Sequence, residues 1–119
     1  MKRMLGIFIG ITLATQLSAE SAVAARPDDL TTLARVFGEL HHVRRMCEPQ
    51  REAELWRERM KQMVRLEQPT AQLRRRLVGA FNDGFRSAES AHAQCDNDAE
   101  AFAESRAAVG AELAAKLAY

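Results

Sequence analysis

Apolar residues recur along the chain at steps of three and four, and no long run alternates between apolar and polar positions. This spacing is typical of amphipathic α-helices and argues against a β-sheet. The pattern predicts four helices, at residues 30–47, 50–67, 71–95 and 98–117. Pro49 and Pro69 mark the first two boundaries, because the residue before a proline avoids the helical conformation. The sequence therefore predicts an all-α fold.

The predicted helices differ in how much apolar surface they can bury. The first and third carry continuous apolar stripes, whereas the second is heavily charged and has a narrow stripe, which predicts a position on the bundle surface. Gly84 interrupts the third helix and indicates either a close helix approach or a kink. Asp28 or Asp29 would cap the first helix, and Asn97 with Glu100 match a capping box for the fourth. The predicted inward positions are Leu30, Leu33, Phe37, Leu40, Val43 and Cys47 in the first helix, Leu55, Trp56, Met60, Met63, Val64 and Leu66 in the second, Leu73, Leu77, Ala80, Phe81, Gly84, Phe85, Ala88, Ala91, His92 and Cys95 in the third, and Ala99, Phe102, Val109, Leu113 and Leu117 in the fourth.

The start of the chain has the layout of a secretory signal peptide. Positive charges precede an uncharged, mostly apolar run over residues 4–17, and small residues follow as far as Ala24. The apolar run is shorter than the roughly 20 residues that a spanning helix needs, so we expect cleavage after Ala24 rather than a membrane anchor. The prediction is a leader at residues 1–24, one domain at residues 25–119, a periplasmic location, and no stable membrane insertion after cleavage.

The two cysteines of the chain, Cys47 and Cys95, lie at the predicted C-terminal ends of the first and third helices. Short connections favour antiparallel neighbours, so these two ends lie at the same end of the bundle. Two cysteines in an exported chain predict a disulfide, which would stabilise the fold by about 4 kcal/mol in a chain-entropy model. We therefore expect a small antiparallel bundle of three to four helices stapled by Cys47–Cys95.

Histidines near the cysteines allow a second interpretation. The residues that could form a tetrahedral zinc site are Cys47, Cys95, His92 and either His41 or His42. Their spacing matches no compact zinc motif, and thiolates outside the cytoplasm tend to oxidise, so a periplasmic metal-binding protein is the alternative hypothesis. A Cys–His catalytic pair would need a free thiolate, and the sequence contains no other catalytic motif. We expect a protein without enzymatic activity and without a cofactor.

The charge balance limits the partners that the chain can bind. Without Lys2, Arg3 and Glu20, which lie in the predicted leader, the 17 basic and 16 acidic residues become 15 and 15. Nucleic-acid-binding proteins carry a clear basic excess, and docking on anionic lipid also needs clustered cations. The neutral chain therefore argues against both kinds of partner.

The only tryptophan of the chain provides a candidate contact surface. Trp56 stands beside Arg57 and Arg59 on a polar helix, which is typical of an interface anchor. The pattern favours a tryptophan packed beneath the third helix over such an anchor, and both interpretations stay open. The polar face of the first helix around His42 and Arg45 is a second candidate contact. We expect a non-enzymatic envelope protein with a structural or interaction role, which binds another envelope protein or a cell-wall component.

The runs LARVFGELHHVRRMC, WRERMKQMVRLE and RRRLVGAFNDGFRSAESAHAQC resemble a family of small exported alphaproteobacterial proteins of unknown function. The shared elements are L-G-E-L-H-x-x-R-x-x-C, W-R-x-x-M, and F-N-x-G-[FY]-R followed by a second cysteine, and the resemblance spans about residues 30–117. The chain departs from this pattern at Phe37, where leucine is expected, and at Ala91-His92, where the family often has an aromatic residue. The resemblance implies an exported helical protein and transfers no activity.

Overall fold

The structure, a computed structural model, describes Arg3, Gly6 and residues 14–119, with side chains from residue 24 onwards. In this part of the chain there are helices and no β-strand, which confirms the predicted all-α class. The helices are α1 (Ala14–Cys47), α2 (Pro49–Glu52), α3 (Leu55–Glu67), α4 (Ala71–Ala91) and α5 (Asn97–Leu117). Of the leader predicted at residues 1–24, Arg3, Gly6 and residues 14–24 are described, and the rest lies outside the described residues.

Helix α1 is the centre of the bundle, and α3, α4 and α5 pack around it. Helix α4 runs parallel to α1, because Arg76 near the start of α4 binds Asp28 in the middle of α1, while Cys47 and Cys95 meet near the C-terminal ends of the two helices. Helices α3 and α5 run antiparallel to α1. This is the predicted alternation of direction, and it brings the C-terminal ends of α1 and α4 together.

Because α1 has neighbours on three sides, it is buried on more than one face. Val36 and Ala34, which lie outside the predicted inner stripe, are as fully buried as Leu40. The prediction of a single inner stripe for the first helix is therefore wrong. The first of two core clusters joins α1 to α3, α4 and the end of α5, and consists of Leu30, Leu33, Ala34, Phe37, Met60, Met63, Leu77 and Leu117. The second lies towards the disulfide and consists of Val36, Leu40, Val43, Ala88, Ala99 and Ala103.

Several helix boundaries differ from the predicted ones. Helix α1 continues through Pro27, so Asp28 and Asp29 lie inside it and do not cap it. The predicted second helix is divided at residues 53–54 into the short α2 and the longer α3. Helix α4 ends at Ala91 rather than at the second cysteine. Its predicted start is confirmed, since the Thr70 hydroxyl accepts a hydrogen bond from the Leu73 amide at 3.2 Å.

The start of α5 is capped by Asp96 and not by Asn97. The Asp96 carboxylate accepts a hydrogen bond from the Ala99 amide at 2.8 Å, and its backbone is extended, as expected of an N-cap residue. The predicted capping box of Asn97 and Glu100 is therefore wrong, because the cap lies one residue earlier and the N3 position is then Ala99, whose side chain cannot complete a box. Aspartate and asparagine are both good caps, so the local sequence alone does not choose between adjacent positions.

Helix α4 is continuous through Gly84, and the close approach predicted there is confirmed. A β-carbon at Gly84 would overlap the carbonyl oxygen of Arg35 on α1. Reciprocally, a β-carbon at Gly38 would overlap the carbonyl oxygen of Phe81 and lie 3.0 Å from the Phe85 amide nitrogen. The two glycines therefore let the backbones of α1 and α4 come into direct contact, as small residues do at close helix crossings.

The predicted disulfide is present at the end of this helix pair. Cys47 and Cys95 are bonded, with 5.4 Å between their Cα atoms, within the usual range for a disulfide. Cys47 is half-buried at the end of α1 and Cys95 is exposed just before α5. The bond joins α1 to the connection between α4 and α5. None of the helices in the described part of the chain has an apolar stretch long enough to cross a bilayer.

Candidate functional site

An apolar groove of about 640 Å³ lies between α3 and α5. Both helices make their main contacts with α1 rather than with each other, so α1 forms the floor of the space between them. We call this space the α3/α5 groove. The residues that line it are Leu33 and Phe37 on α1, Trp56, Arg59, Gln62, Met63 and Leu66 on α3, and Ala107, Gly110, Ala111, Ala114, Ala118 and Tyr119 at and after α5.

One wall of the groove is formed by the tryptophan that the sequence analysis singled out. Trp56 packs against Phe37, with 6.1 Å between the ring centroids, and its Nε1 atom is buried without a hydrogen-bond partner. The guanidinium carbon of Arg59 lies 5.4 Å from the centre of the Trp56 ring, a cation–π arrangement. Trp56 is partly buried and packs against the first core cluster, and its aromatic contact is with Phe37 of α1.

The predicted contact residues do not all lie at the α3/α5 groove. Arg57 and Arg59 are exposed on α3 beside Trp56. His42 instead belongs to the interface between α1 and α4, where its Nε2 atom donates a hydrogen bond to the carbonyl oxygen of His92 at 2.7 Å. Arg45, one turn further along α1, is exposed. The structure therefore brings the three α3 residues together and separates His42 from them.

The opposite wall of the groove consists of small side chains. Ala107, Ala111 and Ala114 recur on one face of α5 at helical spacing. The polar residues that line the groove are Arg59, Gln62 and the terminal Tyr119, so no carboxylate or imidazole group lies among the described lining residues. The groove is consequently an apolar surface that offers hydrogen-bond donors at its rim and no acid–base pair.

A polar cluster lies at one end of the groove. Arg26 on α1 donates hydrogen bonds to the Glu67 carboxylate and to the carbonyl oxygen of Leu117, the latter at 3.4 Å, and the Tyr119 hydroxyl also donates to Glu67. The hydrogen bond from Arg26 lowers the pKa of Glu67. Burial raises the pKa of Tyr119, and the hydrogen bond to Glu67 raises it further. This cluster ties the end of α3 and the C-terminus of the chain to α1.

The two helices that flank the groove expose opposite charges. The exposed charges of α3 are the cations Arg57, Arg59, Lys61 and Arg65 with the single anion Glu58. The exposed anions of α5 are Asp98, Glu100, Glu104 and Glu112. Both cations of α5 are engaged by α1, since Arg106 binds Glu39 at 2.9 Å and Lys116 binds Asp29 at 2.9 Å. The separation of charge between α3 and α5 is not evident from the composition, because the total charge of the chain is nearly balanced.

The residues proposed for a metal site are not gathered in one place. The side-chain atoms that lie within 4.8 Å of one another are those of Cys47, Cys95 and Glu100. The His92 ring stacks on Phe102, with 4.7 Å between centroids. The two sulfurs are bonded to each other and therefore carry no thiolate charge, which metal binding by cysteine needs. The sequence predicts Glu100 only as a capping residue and not as a neighbour of the cysteines, because its approach to Cys95, at 4.0 Å, depends on how α5 begins.

His41 is buried in the interior of the protein rather than placed in a site. Its ring, 6% exposed, lies between Phe81 and Phe85, with centroid distances of 5.7 Å and 5.6 Å, and its Nδ1 atom has no hydrogen-bond partner. Burial lowers the pKa of His41, because the apolar surroundings disfavour the charged imidazolium. This residue is a buried neutral base at the contact between α1 and α4.

Comparison with known proteins adds one match. A family model with the description "Protein of unknown function (DUF2385)" matches residues 27–119, which cover the four principal helices from the start of the packed part of α1. No curated protein matches the chain. No solved structure matches it either.

Proposed function

The chain belongs to this family of unknown function, and from that premise we propose that it is an exported, non-enzymatic envelope protein that binds a protein partner through the α3/α5 groove. The observation that carries the proposal is the groove itself, an apolar space with a volume of about 640 Å³ and with a tryptophan and an arginine in one wall. Tryptophan and arginine are enriched at the energetic centres of protein interfaces. The groove also carries the exposed side chains of Leu66 and Tyr119, which a partner would cover.

Export is supported by the leader pattern and by the disulfide. Residues 1–24 combine a basic start, an apolar run and a small-residue cleavage site. Disulfides such as Cys47–Cys95 form and persist in oxidising compartments and are rare in the cytosol. Together these features favour the periplasm as the location.

The absence of enzymatic activity is supported by the roles that the histidines have. His41 is wedged between two phenylalanines, His42 donates to a backbone carbonyl, and His92 stacks on Phe102. Each imidazole is therefore engaged within the bundle, and none of them lines the groove. A general acid or base must lie within hydrogen-bond reach of a bound substrate, so histidines outside the groove could not act on a substrate bound there.

Photo-cross-linking tests the contact surface. The photoreactive residue p-benzoylphenylalanine would replace Leu66, which lines the groove, and, in a matched control, Val78, which is exposed on α4. In cells that express the full-length gene, we expect irradiation to produce a cross-linked adduct at position 66 and none at position 78. No adduct at position 66, or equal adducts at both positions, would contradict the proposed contact surface.

Intact mass tests export in the same cells. We expect the recovered chain to lack residues 1–24 and to gain two hydrogen atoms on reduction, as one disulfide requires. An unprocessed chain with two free thiols would show that the proposed location is wrong.

A further inference from the structure

Within the described residues, most of the large apolar side chains that are exposed lie at the α3/α5 groove. In the described part of the chain, the large hydrophobic residues that are exposed are Leu66 (61%), Tyr119 (46%) and Val78 (44%). Leu66 and Tyr119 both line the groove, whereas Val78 does not. Burial of such surface is the main favourable term in protein association. The groove therefore carries the apolar surface that an interface would cover.

The charges on the two sides of the groove are complementary to each other. Arg59 and Arg65 on α3 form no ion pair within the described residues, and Glu104 and Glu112 on α5 form none either. The cations that α5 does have are directed to α1, through Glu39 and Asp29. Arg59 lines the α3 side of the groove, and Glu104 lies on the same face of α5 as the lining residues Ala107 and Ala111. A surface with an unpaired cation on one side and an unpaired anion on the other is complementary to a copy of itself.

We propose that a second copy of this chain covers the α3/α5 groove and forms a two-fold symmetric homodimer. In a two-fold interface the same surface serves both subunits, so each element must be compatible with its symmetry-related counterpart. An axis along the groove places α3 of each subunit over α5 of the other, cation to anion. An axis across the groove would place α3 on α3 and α5 on α5, with like charges together. The charge pattern selects the first arrangement.

The shape of the groove agrees with this arrangement. The α5 side offers Ala107, Ala111 and Ala114, whose small side chains leave room for a larger apolar residue. Leu66 projects from the α3 side and is mostly exposed. With α3 over α5, the partner subunit's Leu66 would meet the alanine side. A large side chain packed against small ones is the usual form of close helix contact.

The proposal rests on the α3/α5 groove being the contact surface named under the proposed function, and the oligomeric state in solution tests it. Sedimentation equilibrium would be measured on the disulfide-bonded protein purified from cells that express the full-length gene. We expect a concentration-dependent dimer. Leu66→Lys should weaken dimerisation by about tenfold or more, because it introduces a charge into the apolar contact. The matched control Val78→Lys, which places the same charge at the exposed α4 residue, should leave dimerisation unchanged.

Charge reversal tests the arrangement independently of the apolar contact. Glu104→Arg should weaken the dimer by a few-fold, as expected for surface ion pairs, and the weakening should diminish as salt is raised. Combining it with Arg59→Glu should recover part of the loss, because each side of the groove then again faces an opposite charge. Circular dichroism of each variant would establish that the fold is kept, which is expected since Leu66, Val78, Arg59 and Glu104 are all exposed.

The outcomes separate this proposal from the proposed function. A monomer at millimolar concentration, or equal effects of Leu66→Lys and Val78→Lys, would overturn the dimer. If the protein is monomeric while the cross-linker at position 66 captures a different protein, the dimer is wrong and the proposed function stands. If the chain dimerises through the groove but its leader is not removed, export is wrong and the dimer stands.

Discussion

The glycine pair between α1 and α4 leads to a quantitative prediction for Gly38→Ala. The new methyl group would overlap the Phe81 carbonyl oxygen, lie 2.8 Å from the Phe81 carbonyl carbon and 3.0 Å from the Phe85 amide nitrogen. All of these atoms belong to the backbone of α4, so no flexible side chain can move aside. The helices must separate locally, which loosens contacts on both sides of the crossing.

The expected cost follows from two opposing terms. Alanine is favoured over glycine in a helix interior by up to about 1 kcal/mol. Overpacking typically costs about 1–3 kcal/mol, and contact with backbone places Gly38 at the upper end of that range. We expect a net loss of about 2 kcal/mol in the free energy of unfolding, which lowers the melting temperature of a domain of this size by roughly 8–16 °C.

Gly79→Ala provides the matched control. This residue lies in α4, as Gly84 does, but a β-carbon there would have no atom within 4 Å. Only the propensity gain of up to about 1 kcal/mol applies, so Gly79→Ala should be neutral or stabilising. Urea denaturation followed by circular dichroism, with the disulfide intact, measures both variants. If Gly38→Ala proved as stable as Gly79→Ala, the direct backbone contact would be refuted.

The double variant Gly38→Ala/Gly84→Ala tests whether the two glycines act at one crossing. A methyl at Gly84 would overlap the Arg35 carbonyl oxygen on α1, the reciprocal of the contact at Gly38. Once one substitution has separated the helices, the second has less to displace. We expect the double variant to lose measurably less stability than the sum of the two single losses. Strict additivity would indicate two independent sites.

Three further measurements address other parts of the structure. Reduction of Cys47–Cys95 should lower the free energy of unfolding by about 4 kcal/mol, and a urea midpoint that is insensitive to reductant would show that the bond is not needed. Burial lowers the pKa of His41 below its ordinary value of 6.5, so the unfolded chain binds more protons than the folded one at acidic pH. Stability from this residue should be complete above about pH 6.5 and fall as the pH drops towards the lowered pKa, and a urea series across pH should show no such decline for His41→Phe. Arg106→Met should lower the free energy of unfolding by about 3 kcal/mol, because it leaves the buried Glu39 carboxylate without its ion-pair partner. An unchanged urea midpoint would mean that water solvates the Glu39 carboxylate in place of Arg106.

The sequence by itself determined the local features of this protein. Steps of three and four between apolar residues specify helices wherever they occur, because 3.6 residues make one turn. Pro49 and Pro69 separate the helices through restrictions on their immediate neighbours. The alternating direction of short-linked helices was sufficient to bring Cys47 and Cys95 together. These predictions succeeded because each depends on a short stretch of chain or on one simple rule of connection.

Only the tertiary structure decided which helix lies at the centre. Val36 and Glu39 were not among the predicted inward positions of the first helix, yet Val36 is fully buried and Glu39 is 7% exposed. Val36 packs beside Gly110 of α5, and Glu39 is held by Arg106. The number of neighbours around a helix depends on how all helices share the apolar surface, and periodicity within one helix carries no information about it.

The candidate site was likewise decided by tertiary structure. Leu66 belongs to the predicted inner stripe, but it is 61% exposed because α3 and α5 both pack on α1 and leave a groove between them. The charge separation across that groove arises because Arg106 and Lys116 turn towards α1, which leaves α5 acidic on its outer side. Composition counts charges without their directions, so a chain with 17 basic and 16 acidic residues can still present one cationic and one anionic helix.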